Sequence, residues 1–99
     1  MATISDITTR LRGALQNGAG LGKSLKIDFK GEGFIHIDGA VVSNDDAPAD
    51  CTVLVSLEDL TAMAKGELDP MSAMMRGRLK IQGDMSVAMK LQSILRGGG

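Results

Sequence analysis

Apolar residues recur along this chain at two different spacings, and each spacing predicts a different secondary structure. Over residues 3–16 they recur every three or four positions, which predicts an amphipathic helix with Thr3 or Ser5 as its N-cap. From Leu25 onward apolar and polar residues alternate, which is typical of strands with one buried face. This alternation predicts strands over residues 25–29, 34–38, 51–56 and 78–82, with a short extended piece over residues 39–43.

Three further helices are predicted in the second half of the chain, over residues 57–65, 70–76 and 85–96. Pro70 suits the first position of the middle helix, and Asp69 and Asp84 are candidate N-caps. Because each strand has a single apolar face, we expect an α+β fold. Its single layer of mostly antiparallel sheet, about five strands, should be covered on one face by helices. Residues 1–96 should form one domain, and residues 97–99 a flexible glycine tail.

The last helix carries two stripes that lean towards apolar residues. At about 100° per residue, one side of the helix gathers Val87, Ala88, Leu91, Ile94 and Leu95. A second stripe beside it consists of Met85, Met89, Gln92 and Arg96. One side can pack on the sheet while the other borders a separate space, which favours a tunnel. A helix packed between the sheet and its neighbouring helices explains the same pattern, so both interpretations stay open.

Methionine is concentrated in the same part of the chain. Six of the seven methionines lie between Met63 and Met89. Because methionine is unbranched and polarizable, a methionine-rich wall can adapt to apolar ligands of different shapes. The alternative interpretation is that these side chains only fill gaps in an ordinary core.

Composition and charge exclude several classes of function. The 99 residues have a net charge of −1 and are only 2% aromatic. The chain therefore lacks the basic surface and the stacking side chains of nucleic-acid-binding proteins. No segment approaches the ~20 apolar residues that a membrane span requires, and residues 1–6 do not resemble a secretion signal. We expect a cytoplasmic protein with no nucleic-acid partner, while transient membrane contact stays open.

No combination of residues indicates catalysis or a cofactor. Residues 17–24 resemble a phosphate-binding loop, but they follow a helix and precede a strand, the reverse of the required order. The single histidine, His36, is predicted on the solvent side of its strand, and the single cysteine, Cys51, on the buried side. One histidine and one cysteine exclude a zinc site of the usual spacing within a monomer. We therefore expect no enzyme activity, cofactor or metal. A small enzyme that acts on lipid-like substrates stays open only if Asp38 and His36 lie beside a cavity.

Several short motifs follow one another from residue 49 to residue 91. They read Ala-Asp-Cys-Thr-Val-Leu-Val-Ser-Leu-Glu-Asp-Leu, Gly-x-Leu-x-Pro, Ala-Met-Met-x-Gly, Arg-Leu-Lys-Ile-Gln, Gly-Asp-Met and Ala-Met-Lys-Leu. In order and spacing these motifs resemble the sterol carrier protein-2 family, in its stand-alone prokaryotic form. The resemblance implies a small lipid carrier of α and β structure, with an apolar tunnel for fatty acyl chains, acyl-CoA, phospholipid or sterol.

The resemblance also implies a function and a binding wall. The expected function is non-enzymatic binding and transfer of a fatty acyl, phospholipid or sterol-like ligand in a tunnel lined by methionine. Nine residues are predicted to form its wall: Met63, Met71, Met74, Met75, Ile81, Met85, Ala88, Met89 and Gln92. Gln92 is the polar member able to bond a head group. An alternative is an accessory protein that presents a lipid or isoprenoid-quinone intermediate to a partner enzyme. The charged residues at 76, 78 and 80 either contact a head group or form a solvated face.

Overall fold

Four helices and five strands make up the part of the chain that the computed structural model describes. This part covers residues 3–15, 23–39 and 41–97, with side chains for all of them except residues 14 and 92–97. The helices are α1 (Ile4–Leu15), α2 (Leu57–Ala64), α3 (Pro70–Met75) and α4 (Met85–Gly97). The strands are β1 (Leu25–Asp28), β2 (Phe34–Asp38), β3 (Val41–Ser43), β4 (Cys51–Val55) and β5 (Leu79–Gly83). Their bounds agree with the predicted ones to within two residues.

The strands form one sheet in the order β3-β2-β1-β4-β5. Three of the four neighbouring pairs are antiparallel, as predicted, and the central pair β1–β4 is parallel. The parallel pair arises because the chain returns from the edge strand β3 to the middle of the sheet through residues 44–50. The predicted α+β class with a mostly antiparallel five-stranded sheet is therefore confirmed.

The alternation of apolar and polar residues gives the sheet one buried face. The inward-facing residues of this face are Leu25, Ile27, Ile35, Ile37, Val42, Cys51, Val53, Val55 and Leu79. Helix α1 packs across β2 and β3, α4 packs across β4 and β5, and α3 packs on β5. Helix α2 lies against α4 rather than on the strands. The core thus lies between the sheet and the helices, while residues such as Lys26 and Thr52 line the wetter face.

Side-chain hydrogen bonds cap the first turns of α1, α2 and α4, whereas Asp69, which holds the N-cap position of α3, makes no side-chain capping hydrogen bond. The Thr3 hydroxyl accepts a hydrogen bond from the Asp6 amide at 3.1 Å, and the Asp6 carboxylate accepts one from the Thr3 amide at 2.9 Å. This reciprocal pair makes Thr3 the N-cap of α1 and lowers the pKa of the Asp6 carboxyl. Pro70 occupies the first position of α3, as predicted. The Asp84 carboxylate caps α4 by accepting from the Ser86 amide at 3.0 Å.

Two predicted regions lie wholly or partly outside the described residues. The loop that resembles a phosphate-binding motif falls largely within residues 16–22, and the end of the glycine tail falls at residues 98–99. Gly97, which was predicted to belong to the tail, is the last residue of α4.

Candidate functional site

An apolar cavity of about 160 Å³ lies between helices α2, α3 and α4 and strands β4 and β5. Thirteen described residues line it: Val53, Leu60, Met63, Asp69, Pro70, Met71, Met74, Leu79, Ile81, Met85, Ala88, Met89 and Leu91. Asp69 is the only residue among them with a polar side chain. The volume is comparable to that of apolar cavities of roughly 150 Å³ that stay dry and bind small apolar molecules. The site is therefore suited to part of an apolar ligand.

The floor of the cavity comes from the two strands at one edge of the sheet. Val53 of β4 and Ile81 of β5 are direct partners in the antiparallel ladder, so their side chains lie next to each other on one face. Leu79 precedes Ile81 by two residues and points to the same face. The period-two pattern of each strand thus supplies an apolar floor without a dedicated motif.

The walls come from helical residues three or four positions apart. Leu60 and Met63 share one face of α2, and Met85, Ala88 and Met89 share one face of α4. The short helix α3 adds Pro70, Met71 and Met74 after its N-cap residue. Helical periodicity therefore directs several methionine thioethers towards one space.

One side of the cavity opens to solvent through a ring of exposed methionines. Met71 and Met89 are each 66% exposed and Met85 is 45% exposed, although all three line the cavity. We call these three residues the methionine rim. Met63 is buried deeper in the wall, and Asp69 is exposed at the edge. The site thus has an apolar interior, an apolar rim and a carboxylate at its mouth.

The structure brings together seven of the nine residues predicted for the binding wall. They are Met63, Met71, Met74, Ile81, Met85, Ala88 and Met89. Met75 is 87% exposed and does not line the cavity, because the turn of α3 carries it about 100° beyond Met74, towards solvent. The side chain of Gln92 lies outside the described residues.

Sequence reasoning assigned other lining residues to the core or overlooked them. Val53, Leu60 and Leu79 looked like ordinary inward-facing positions, and only the register between β4 and β5 shows that two of them share the cavity floor. On α4, Leu91 belongs to the stripe predicted to pack on the sheet, yet it also borders the cavity, as does Ala88 of the same stripe, which the predicted wall already included. The two predicted stripes of this helix therefore do not divide cleanly between core and cavity.

An ion pair between an exposed arginine and a buried aspartate joins helix α2 to the start of strand β5. Arg78 donates to both carboxylate oxygens of Asp59, from Nε to Oδ2 at 3.2 Å and from Nη2 to Oδ1. Asp59 is buried in the first turn of α2, next to Leu60, and Arg78 immediately precedes β5, next to Leu79. Arg78 is exposed, as predicted for a solvated position, and its guanidinium is in addition paired with Asp59.

Charge at the start of α4 is balanced by a second, exposed ion pair. Lys23 Nζ lies 2.7 Å from Asp84 Oδ2. The hydrogen bond from Lys23, followed by those from Ser86, lowers the pKa of the Asp84 carboxyl well below its usual range. In turn the hydrogen bond to Asp84 raises the pKa of the Lys23 ammonium. The pair joins the segment before β1 to the helix that forms one cavity wall.

The residues most often used for catalysis do not meet at the cavity. His36 lies on the face of the sheet away from the helices, and its Nε2 is 3.0 Å from the Pro48 carbonyl oxygen. Cys51 is buried on the opposite face, and burial raises the pKa of its thiol. Among the described residues, no three histidine, cysteine or acidic side chains are grouped to hold a metal ion.

No helix in the described ranges combines the length and the hydropathy that crossing a membrane would demand.

Comparisons with known proteins identify a family whose model matches most of the chain. The model of the SCP-2 sterol transfer family matches residues 3–96. Sterol carrier protein 2 of Oryctolagus cuniculus is 46% identical over 56 residues, which are 57% of this chain and 10% of that protein. The chain thus spans about a tenth of the length of the curated relatives it matches first.

Solved structures show the same fold. Apo sterol carrier protein 2 from Yarrowia lipolytica has a TM-score of 0.77 at 18% identity, with 95% of this chain and 90% of that chain covered. A structure titled "UbiJ-SCP2 Ubiquinone synthesis protein" has a TM-score of 0.68 at 20% identity, with 99% and 95% covered. At these identities the likeness is one of fold alone.

Proposed function

The chain belongs to the SCP-2 sterol transfer family, and on that premise we propose that it binds and carries an apolar lipid without chemical change. The ligand classes that suit the site are fatty acyl chains, phospholipids and sterol-like molecules. The observation that carries the proposal is the cavity, whose described lining is apolar except for Asp69 at the mouth.

Binding would be driven by removal of the ligand from water. Each buried methylene contributes about 0.8 kcal/mol before the cost of ordering the ligand. A space of about 160 Å³ is smaller than the roughly 300–1,000 Å³ pockets that enclose drug-sized ligands. A long chain therefore requires the lining to widen, and the methionines supply this because their unbranched side chains change rotamer readily. Met63, Met74 and the methionine rim are the groups we expect to move.

Selectivity would come mainly from the mouth. Apolar walls discriminate weakly between chains that differ by a methylene, by about 1–3 kcal/mol. Asp69 is exposed at the edge of the cavity, so its negative charge disfavours a carboxylate head group and accepts a hydrogen bond from a hydroxyl. We expect hexadecanol to bind more tightly than palmitate, and Asp69→Asn to reduce the difference. Gln92 remains a proposed second contact for the head group.

Calorimetric titration with octanoate, dodecanoate and palmitate tests the proposal. The affinity should rise with chain length until the cavity is filled. Met89→Trp should weaken palmitate binding by filling the mouth, whereas Met75→Trp, the same change one helix away and outside the cavity, should not. Equal affinity in both variants, or no dependence on chain length, would contradict the proposed site.

We further propose that the domain acts without catalysis. His36 and Cys51 lie on opposite faces of the sheet, so they cannot form a nucleophile and base pair. His36→Ala should leave lipid binding intact, because the His36 ring lies against the Pro48 carbonyl and away from the cavity. A loss of more than about tenfold with the fold preserved would revive a chemical role for this residue.

A second candidate function is that of an accessory protein that presents a lipid or isoprenoid-quinone intermediate to an enzyme. Two observations favour it: the likeness to the structure titled as a ubiquinone synthesis protein, and the exposed methionines around the mouth. Transfer of a fluorescent fatty acid between donor and acceptor vesicles separates the two functions. A carrier accelerates transfer by itself, whereas an accessory protein binds the lipid without accelerating its transfer.

A further inference from the structure

The methionine rim has two properties that are not found together in methionines of a protein core. Its three thioethers are open to solvent, and the same side chains form part of an apolar binding wall. Exposure gives a dissolved peroxide direct access to the sulfur, and oxidation makes the side chain polar. Met63 is buried and Met74 is half-buried in the same cavity, so both are less accessible to the oxidant than the rim.

The single cysteine does not compete with the rim for an oxidant. Cys51 is buried under the helices, and burial raises the pKa of its thiol, so the reactive thiolate is scarce and shielded. The most exposed methionine, Met75, lies outside the cavity and offers an internal reference. It should react with peroxide as readily as the rim without touching a bound ligand.

We propose that Met71, Met85 and Met89 form a peroxide-sensitive modification site that releases the apolar ligand when it is oxidised. In each event a hydroperoxide transfers one oxygen atom to the thioether sulfur, so that its O–O bond breaks and an S–O bond forms. The sulfur loses two electrons to the peroxide, and water leaves when the oxidant is hydrogen peroxide. The product is a sulfoxide, which methionine sulfoxide reductases return to the thioether; two thiols are oxidised to a disulfide and the oxygen leaves as water.

Oxidation of the rim changes the chemistry of the mouth rather than its shape. A sulfoxide oxygen prefers water to an apolar ligand, and a ligand that covers it removes this hydration without replacing the hydrogen bond. A single such group should weaken binding by about tenfold, and more than one by a larger factor. The proposal rests on the proposed function, because it presumes that the cavity holds an apolar ligand.

Limiting hydrogen peroxide applied to the full chain tests the proposal. Peptide mass spectrometry should locate sulfoxide at Met75 and the rim before it appears at Met63 or Met74. Calorimetry should then show that palmitate affinity falls about tenfold or more. Methionine sulfoxide reductases A and B with dithiothreitol should restore it. Circular dichroism should show the fold unchanged throughout.

Two variants locate the effect. In the triple variant M71L/M85L/M89L the peroxide should leave palmitate affinity at the variant's own untreated value, because leucine is apolar and of similar volume but not oxidised in this way. In Met75→Leu the peroxide should lower palmitate affinity as much as it does in the unmodified chain. The single variant Met89→Leu, which should show a reduced loss, serves the same purpose if the triple variant folds poorly.

Several results would overturn the proposal. They are an unchanged affinity after rim oxidation, an equal loss in the triple variant, or loss of the fold on oxidation. A different failure is also recognisable: if the untreated chain does not bind palmitate or hexadecanol, the proposed function is wrong, and the ligand-release role of the rim falls with it.

Discussion

Replacing Ala88 by leucine distinguishes a cavity from a packed core. Ala88 is buried in α4 and lines the cavity, so three added carbon atoms would enter empty space. At about 0.8 kcal/mol per buried carbon the gain is at most about 2.4 kcal/mol. Ordering the new side chain removes about 0.5–1 kcal/mol. We therefore expect a net stabilisation of about 1.5 kcal/mol, which raises the melting temperature by about 6–12 °C in a domain of this size.

The same substitution should weaken lipid binding. The leucine occupies space that about three ligand carbons would fill, and the lost burial of about 2.4 kcal/mol corresponds to an affinity about fiftyfold lower. The expected result is thus a more stable protein that binds palmitate less tightly. Thermal unfolding and calorimetric titration of one preparation measure both quantities.

Ala73→Leu provides a matched control. Ala73 is also a buried helical alanine, but it does not line the cavity. The leucine there must overpack the core, at a cost of about 1–3 kcal/mol. If Ala88→Leu destabilises the protein as Ala73→Leu does, the space beside Ala88 is filled and the account of the cavity is wrong.

Three further predictions concern the framework of the site, each measured as the free energy of unfolding in urea. Gly83→Ala should lower the stability of the protein by more than about 2 kcal/mol, because the φ of Gly83 is +98° and an added Cβ would overlap the Asp50 carbonyl. Gly31→Ala is the control: Gly31 has a similar φ but open space around it, so this change should lower stability by only about 1 kcal/mol. Hydrogen bonds from Lys23 and Ser86 hold the pKa of the Asp84 carboxyl well below its usual range, so its contribution to the free energy of unfolding is fully present above about pH 4 and is lost progressively as the pH falls further. Asp84→Asn should therefore be less stable than the unmodified chain at neutral pH, and the difference between the two should be smaller at about pH 2 than at about pH 7. Arg78→Gln should lower the stability of the protein by about 1–3 kcal/mol, because it leaves the buried Asp59 carboxylate without its partner. A neutral result would mean that this ion pair does not hold α2 to the start of β5.

Local patterning made most of the fold predictable. The strands with one apolar face, the proline at the start of α3 and the aspartate before α4 each depend on neighbours in sequence. Pairing between distant segments did not follow from such patterns. The parallel contact of β1 with β4 joins residues 26 positions apart, such as Leu25 and Cys51. The choice between Thr3 and Ser5 as N-cap likewise needed the hydrogen bonds themselves.

The part of the site that a single helix contributes could be predicted from the sequence. The spacing of Met85 and Met89 placed both on one stripe, and both line the cavity. Val53 escaped prediction because a strand residue that faces a cavity looks the same in sequence as one that faces the core. Arg78 lies at a polar position of the alternating pattern of its predicted strand. Its pairing with Asp59 could not be predicted from neighbouring residues, because the two are 19 residues apart in sequence.

The central claim is that the cavity binds an apolar ligand, and methyl NMR of the methionines tests it most directly. The chain carries seven methionines. Some of them lie inside the cavity, some at its rim, and Met75 lies outside it. Protein labelled with ¹³C at the methionine methyl groups is titrated with palmitate and with hexadecanol. The account predicts that the resonances of Met63, Met74 and the methionine rim shift together and saturate at one ligand per chain, while that of Met75 stays in place. Shifts confined to Met75, or no shift in any of them with either ligand, would contradict it.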